Sequence, residues 1–105
     1  MNADKLLAML AKGRDDALLR FSLGNAYMRA GEAQQAVEHL RAAVAHDPAY
    51  SAAWKLLGKA LAESGALGDA LQAYEDGVAA ATAGGDLQAA KEMQVFARRV
   101  RTQLA

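Results

Sequence analysis

The sequence predicts an all-α fold in which short helical hairpins stack side by side. The main observation is a repeat, because Leu23-Gly24 recurs as Leu57-Gly58, 34 positions later and without a gap. A repeat of about this length is typical of helical hairpins that are too small to bury their own apolar faces singly. The composition agrees, since the chain contains one Pro and is rich in good helix formers. The other positions that recur at the same distance are Ala26 and Ala60, Gly31 and Gly65, Ala36 and Ala70, and Val44-Ala45 and Val78-Ala79.

Length, charge and cysteine content limit the number of domains and the classes of partner that the chain can have. The 105 residues are enough for one domain, 1–105, with a small core. Lys plus Arg equals Asp plus Glu, 12 against 12, so no bulk charge favours nucleic acid or an anionic membrane as a partner. The chain has no Cys, which excludes thiolate chemistry and is compatible with the cytoplasm, the location we expect. The N-terminal apolar run, 6–11, is too short for a secretion signal or a membrane span.

Turn signals divide the chain into four segments. Gly13 ends the N-terminal helix, and Asp15 or Asp16 can cap the next helix by accepting hydrogen bonds from its free N–H groups. Gly31 provides the left-handed turn inside the first hairpin. Asp47-Pro48 ends that hairpin, since proline disfavours helical geometry at the residue before it. The predicted segments are an N-terminal helix (1–14), a first repeat (17–50), a second repeat (51–84) and a capping helix (86–104).

The second repeat follows the same plan and leads into the final helix. Ser51 is expected to cap its first helix, which ends near Ser64-Gly65, and the second helix covers about 67–83. Gly84-Gly85-Asp86 then breaks the chain and restarts it. The final helix carries an apolar stripe at spacings of three or four residues, which should cover the open end of the stack. The stripe consists of Leu87, Ala90, Met93, Ala97, Val100 and Leu104.

Longer motifs run through both repeats. In the second, Trp54-x-x-Leu57-Gly58-x-x-Leu61 is followed by Ala70-x-x-x-Tyr74-x-x-Gly77, and in the first, Leu23-Gly24-x-x-Tyr27 is followed by Ala36-x-x-x-Leu40-x-x-Ala43 and Pro48. These motifs resemble those of the tetratricopeptide repeat family. The resemblance implies a right-handed α-α superhelix of about six helices, in which the small residues lie where paired helices approach closely. Two positions depart from the family pattern: Arg20 replaces a large apolar residue, and Thr82 replaces a proline.

The sequence offers little support for an enzyme, a metal site or a cofactor. His39 and His46 lie on one predicted helix at a distance of about 10.5 Å along its axis, too far for one metal ion whose ligand bonds are about 2 Å. We expect both to be ordinary, exposed or half-exposed histidines. The glycines lack the strand and the following Lys-Ser/Thr of a phosphate-binding loop. The arginines of the last helix, Arg98, Arg99 and Arg101, are expected to form a solvated face.

The resemblance implies a protein-interaction module without catalysis or cofactor. In such folds the first helix of each repeat lines a concave face that holds an extended or helical peptide, and residues spaced by three, four or seven share a helix face. Here that face combines apolar residues with hydrogen-bond donors, which suits a peptide of apolar and acidic character. The expected binding residues are Phe21, Asn25, Met28 and Arg29 in the first repeat and Lys55, Lys59, Ala62 and Glu63 in the second, flanked by Leu18 and Ala52.

The sequence leaves three alternatives open. Phe21 and Met28 can pack under a terminal helix or against another subunit, so that the groove is filled. The protein can instead be a structural homo-oligomer that associates through the same surface or an open end of the stack. A carboxylate clamp, which in some family members grips a C-terminal acid, is matched by Asn25. Phe21 and Leu56, however, stand where the clamp pattern has Lys and Asn.

Overall fold

The computed structural model describes residues 2–105 and forms six α-helices and no strand over that range. The helices are α1 (Ala3–Ala11), α2 (Ala17–Arg29), α3 (Ala33–His46), α4 (Ser51–Glu63), α5 (Leu67–Ala83) and α6 (Leu87–Leu104). Two hairpins, α2 with α3 and α4 with α5, pack side by side through α3 and α4, and α6 packs against α5. The all-α class predicted from the repeat is confirmed.

The hairpin turns have the same geometry in both repeats. Gly31 and Gly65 have φ angles of 76° and 82°, in the left-handed region that side chains with a Cβ rarely adopt. The residue that follows each glycine donates its N–H, at 2.9 Å, to a carbonyl in the last turn of the preceding helix. That hydrogen bond satisfies a carbonyl that the helix itself leaves free. The repeat therefore places the same C-terminal cap on α2 and α4.

The starts of α2 and α4 differ in their capping. Oδ1 of Asp16 accepts an N–H of the first turn of α2 at 2.8 Å, so Asp16 rather than Asp15 is the cap. The expectation that Ser51 caps α4 is wrong, because Ser51 is the first helical residue and Tyr50 is the N-cap, without a side-chain hydrogen bond. The Ser51 hydroxyl instead donates to Oδ2 of Asp86 at 3.4 Å. This bond connects the start of α4 to the start of α6.

Small residues lie where helices meet, as the repeat pattern predicts. A methyl group on Gly24 would overlap Leu40 of the paired helix. A methyl group on Gly77 of α5 would stand 2.7 Å from Cβ of Trp54 and 2.5 Å from the sulfur of Met93. These separations are too short for real carbon atoms, so the helices approach more closely than alanine allows.

The core consists of two parts of unequal size. The main core runs through α3, α4, α5 and α6 and contains fully buried side chains such as Leu40 and Leu57. A smaller cluster of Leu6, Leu19 and Leu23 holds α1 against α2. Because few apolar residues form that cluster, the contact between α1 and α2 contributes only a small part of the buried apolar surface.

The apolar stripe of α6 is only partly buried. Its central residues are in the core, as expected, but Leu87 and Leu104 are 60% and 49% exposed. The prediction that these two cover the stack is therefore wrong. Leu87 is the first residue of α6 and Leu104 is the last, and the residues buried near the start of the helix are Ala89 and Ala90 instead. The central residues that are buried as predicted are Ala90, Met93, Ala97 and Val100.

A groove lined by the first helices of both repeats

A continuous groove runs along the face formed by α2 and α4. Its widest part is a cavity of about 670 Å³, which α5 and α6 also line. A second cavity, toward α1, shares Phe21 and Asn25 with the widest part, and a third shares Lys59 and Tyr74 with it. Neighbouring cavities thus share wall residues along the same face. The residues lining the widest part are Phe21, Asn25, Ala52, Lys55, Leu56, Lys59, Tyr74 and Phe96.

Most of the residues that the sequence assigned to binding lie in this groove. Phe21, Asn25, Lys55 and Lys59 line its widest part. Ala52 also lines the widest part. Four others line the two end cavities: Leu18 and Arg29 lie toward α1, and Ala62 and Glu63 lie beside Lys59.

Met28 is the predicted binding residue that the structure does not bring to the groove. It is half-buried and packs against the main core. Arg29, four residues after Asn25, continues the groove-lining row of α2. Met28 falls on the flank of that row that faces the other helices.

Sequence reasoning missed three groove residues: Leu56 on α4, and Tyr74 and Phe96, which come from outside the first helices. Leu56, Tyr74 and Phe96 complete the apolar floor of the widest part. The rings of Tyr74 and Phe96 are tilted against each other with centroids 5.6 Å apart, within the usual range for aromatic pairs. Phe96 follows Met93 by three residues and so lies at the edge of the apolar stripe of α6. A large aromatic residue at this position was the signal from which its place in the groove could have been predicted.

Phe21 is held at the groove by an aromatic neighbour. Its ring centroid is 5.0 Å from that of Tyr50, in the connection between α3 and α4. Phe21 is half-buried and still lines both the widest part and the cavity toward α1. The contact with Tyr50 fixes the ring from one side, which leaves its other side to the groove.

Four cationic side chains and one acidic side chain line the groove. Arg14 is paired with Asp16 at 2.8 Å, and Nζ of Lys55 is 3.6 Å from Oε2 of Glu92 on α6. Over residues 2–105, the remaining cations, Arg29 and Lys59, form no ion pair within 4.0 Å. The acid is Glu63, at the end of α4. The groove therefore carries positive charge in a chain whose formal charge is zero.

Arg20, which replaces the large apolar residue of the pattern, anchors a polar cluster away from the groove. Its Nε and Nη2 donate to the two carboxylate oxygens of Asp15 at 2.7 and 2.9 Å. Its Nη1 donates to Nδ1 of His39 at 3.0 Å, which assigns the proton of the neutral imidazole to Nε2. Nε2 of His46 is 2.9 Å from Oδ1 of Asp15. The hydrogen bond from Arg20 holds the pKa of Asp15 well below its usual range.

His39 does not have the exposed position expected from the sequence. It is 6% exposed, and its ring stacks on Tyr27 with centroids 5.4 Å apart and an interplanar angle of 2°. Burial, followed by the charge of Arg20, lowers the pKa of His39 from its ordinary value of 6.5. The residue that faces Arg20 from α3 is therefore a neutral histidine.

We expect the protein to lose stability as the pH falls from about 7.5 to about 5.5. In this range the unfolded chain protonates His39 at its ordinary pKa, while the folded chain resists protonation, so the unfolded state binds more protons. The contribution of His39 is complete above that ordinary pKa and is lost as the pH falls through the lower, folded-state value. Urea unfolding at several pH values measures the effect. His39→Gln should flatten the profile in this range, and an equal slope in both proteins would contradict the assignment.

The arginines of α6 are partly engaged by neighbouring residues. Nη2 of Arg101 donates to Glu75 of α5 at 3.0 Å, and the guanidinium carbon of Arg99 lies 5.6 Å from the ring centroid of Phe96. Both contacts hold α6 and its aromatic residue in position. Between residues 2 and 105, the structure contains no group of three His, Asp or Glu side chains that could hold a metal ion. No helix of that range has the length and apolar character needed to cross a membrane.

Comparison with known proteins gives a consistent result. The tetratricopeptide repeat profile matches residues 21–86. A TPR repeat-containing protein of Pseudomonas aeruginosa is 55% identical over 100 residues, which cover 95% of each chain. The solution structure of a Bordetella parapertussis protein has a TM-score of 0.81 and 50% identity, and the match covers 96% of this chain and 88% of that one. The crystal structure of the Sgt2 TPR domain from Aspergillus fumigatus has a TM-score of 0.81 and 27% identity, covering 97% of this chain and 67% of that one. With its repeat period, its small helix-contact residues and these relatives, the chain belongs to the tetratricopeptide repeat family.

Proposed function

We propose that the protein is a non-catalytic interaction module whose groove binds a partner peptide with apolar and acidic side chains. Folds of this family generally serve as protein–protein interaction modules. The observation that carries the proposal is the combination of an apolar floor and cationic side chains in one groove of a chain without net charge. The proposal includes a cytoplasmic setting, with which the lack of Cys is compatible.

The apolar part of the proposed ligand would lie on the aromatic floor of the groove. Phe21, Leu56 and Phe96 are half-buried, and Tyr74 is buried beneath the groove. The three half-buried side chains leave faces on which a leucine or phenylalanine of the ligand can pack, and Tyr74 supports them from below. Fully burying one such side chain contributes about 1.5–3 kcal/mol before the cost of ordering the ligand.

The acidic part of the ligand would lie near the cations of α2 and α4. Arg29 and Lys59 have no ion-pair partner within residues 2–105, and the Asn25 amide lines the groove between them. Hydrogen bonds between a cation and a carboxylate are stronger than those between neutral groups. Cationic grooves also accelerate the encounter with an acidic segment.

We expect the double substitution Lys55→Glu with Lys59→Glu to abolish capture of the partner. The change reverses two charges at the widest part of the groove, and both side chains have solvent-accessible positions, so helicity should be unchanged. Affinity capture from cells with mass spectrometry, alongside circular dichroism, measures both properties. Lys12→Glu with Lys91→Glu makes the same change in charge at exposed positions that do not line the groove, and should capture normally. Capture that survives the groove substitution would refute the proposal.

A second candidate is a structural homo-oligomer that associates through the end formed by α1 and α2. Leu18 and Met9 favour it, because they are 59% and 37% exposed and line the cavity toward α1 together. Sedimentation at micromolar concentration separates the two candidates. A single species with the monomer mass of 11.0 kDa would eliminate the oligomer, whereas a stable dimer that excludes peptide would replace the first proposal.

A further inference from the structure

We propose that Glu92 of α6 is a specificity-determining residue of the groove. By pairing with Lys55, it directs the carboxylate of a bound peptide to Lys59. This inference rests on the proposed function, since it concerns the same groove, and it adds where the acidic group of the ligand must lie.

The helix α6 is a wall of the groove as well as a cap on the stack. Glu92 and Phe96 are four residues apart, so they lie on one face of α6. Phe96 lines the widest part of the groove, and its ring contacts Tyr74 and the guanidinium group of Arg99. The face of α6 that meets α4 therefore carries an aromatic ring that lines the groove and a carboxylate that pairs with a groove lysine.

The carboxylate of Glu92 already occupies the position that a ligand acid would take at Lys55. The two charged groups are 3.6 Å apart, and their side chains are 39% and 40% exposed. A ligand carboxylate that approached Lys55 would also approach Glu92, and like charges at such distances repel each other. Glu92 is thus an internal competitor for one of the two lysines.

Lys59 is the lysine that remains available to a ligand. It lies one turn after Lys55 on α4, about 6 Å along the helix axis. It is exposed, and it lines both the widest part of the groove and the cavity beside Glu63. Glu63 lines the same end cavity, but within residues 2–105 Lys59 forms neither an ion pair within 4.0 Å nor a side-chain hydrogen bond. Its three N–H donors are therefore open to a carboxylate.

This arrangement predicts a positional preference in the ligand. A peptide that places an apolar side chain on Phe96 meets Glu92 and Lys55 on one side and Lys59 one turn further along α4. Of the two lysines of α4, only Lys59 favours a glutamate at the ligand position that reaches it. Removal of the Glu92 charge should open a second acceptable position, at Lys55.

The test uses an array of synthetic ten-residue peptides that carry two phenylalanines and a single glutamate, the glutamate being moved along the sequence. The tightest binder, labelled with fluorescein, is then titrated by fluorescence anisotropy. We expect Glu92→Gln to strengthen its binding about two- to fivefold, the range expected for release of a partly exposed ion pair, and to broaden the glutamate positions that the array tolerates. Lys59→Gln should weaken binding about tenfold, and Lys55→Gln less than about twofold.

Two controls separate specificity from structure. Glu75→Gln removes another ion pair that holds α6, with Arg101, but it lies outside the groove and should leave binding and positional preference unchanged. A version of the peptide with glutamine in place of glutamate should bind wild type and Glu92→Gln equally.

The failures of the two proposals are distinguishable. An array without any binder would refute the proposed function. A binder whose affinity and glutamate preference are the same in wild type and Glu92→Gln would retain the interaction module and overturn the role of Glu92. A Lys55→Gln variant that loses more affinity than Lys59→Gln would also overturn it.

Discussion

Replacing Leu40 with alanine should lower the free energy of unfolding by about 2–5 kcal/mol. Leu40 is completely buried in the main core, and its side chain packs on the bare backbone of Gly24. The helices on either side are held by the rest of the core, so the site cannot collapse fully and a cavity remains. Domains of this size have a total stability of about 5–15 kcal/mol, so the loss is a large fraction of the whole.

Urea unfolding at constant pH measures the effect of Leu40→Ala. The matched control is Leu87→Ala, because Leu87 is 60% exposed at the start of α6 and its truncation should change stability by less than about 0.5 kcal/mol. Equal losses in the two variants would mean that the helices do not meet as described.

Replacing Gly77 with alanine should also destabilise the protein, by about 1–3 kcal/mol. Alanine is the better helix former by about 0.5–1 kcal/mol, so local propensity alone predicts the opposite sign. The added methyl group would collide with the sulfur of Met93 and with Cβ of Trp54. Met93 can change rotamer, but Cβ of Trp54 is fixed to its backbone, so α4 and α5 have to move apart.

Gly68 provides the control for Gly77 in the same helix. A Cβ on Gly68 would meet no atom within 4 Å, so Gly68→Ala should leave stability unchanged or raise it by up to about 1 kcal/mol. Thermal unfolding of the two variants measures the difference. Stabilisation by Gly77→Ala would show that the helices do not approach each other closely at this position.

The fold was predictable from the sequence because its determinants recur at one period. Gly31 and Gly65 mark the same turn in both repeats, since a left-handed residue is needed there whatever surrounds it. Gly24 and Gly58 mark the same contact between paired helices, since no side chain fits there. Each of these conformational and packing requirements concerns one residue or one pair of helices, so it can be recognised from the sequence.

The groove was only partly predictable, because some of its walls come from distant parts of the chain. The regular spacing along α2 and α4 is a local property and led to Phe21 and Lys59. The contribution of Phe96 depends on how α6 packs against α5, which the position of an apolar stripe does not specify. The pairing of Lys55 with Glu92 has the same origin and changes which lysine is available.

The polar cluster around Arg20 shows a second limit of sequence reasoning. The family pattern has a large apolar residue at the position of Arg20, and such a side chain would need only apolar neighbours. Instead the structure keeps Arg20 partly buried and supplies it with Asp15 and His39 as partners. Those partners come from the connection before α2 and from α3. A buried arginine needs such partners, but the sequence does not say which side chains will meet it.

The central claim is that the groove formed by α2, α4 and α6 is an open binding surface for an acidic, apolar peptide. An amide NMR titration of the full chain with the tightest peptide of the array tests it most directly. The account predicts that the largest shift changes lie at Phe21, Asn25, Lys59 and Phe96, with saturation at one peptide per chain. Shift changes confined to the outer surfaces of α3 and α5, with none along the groove, would contradict it.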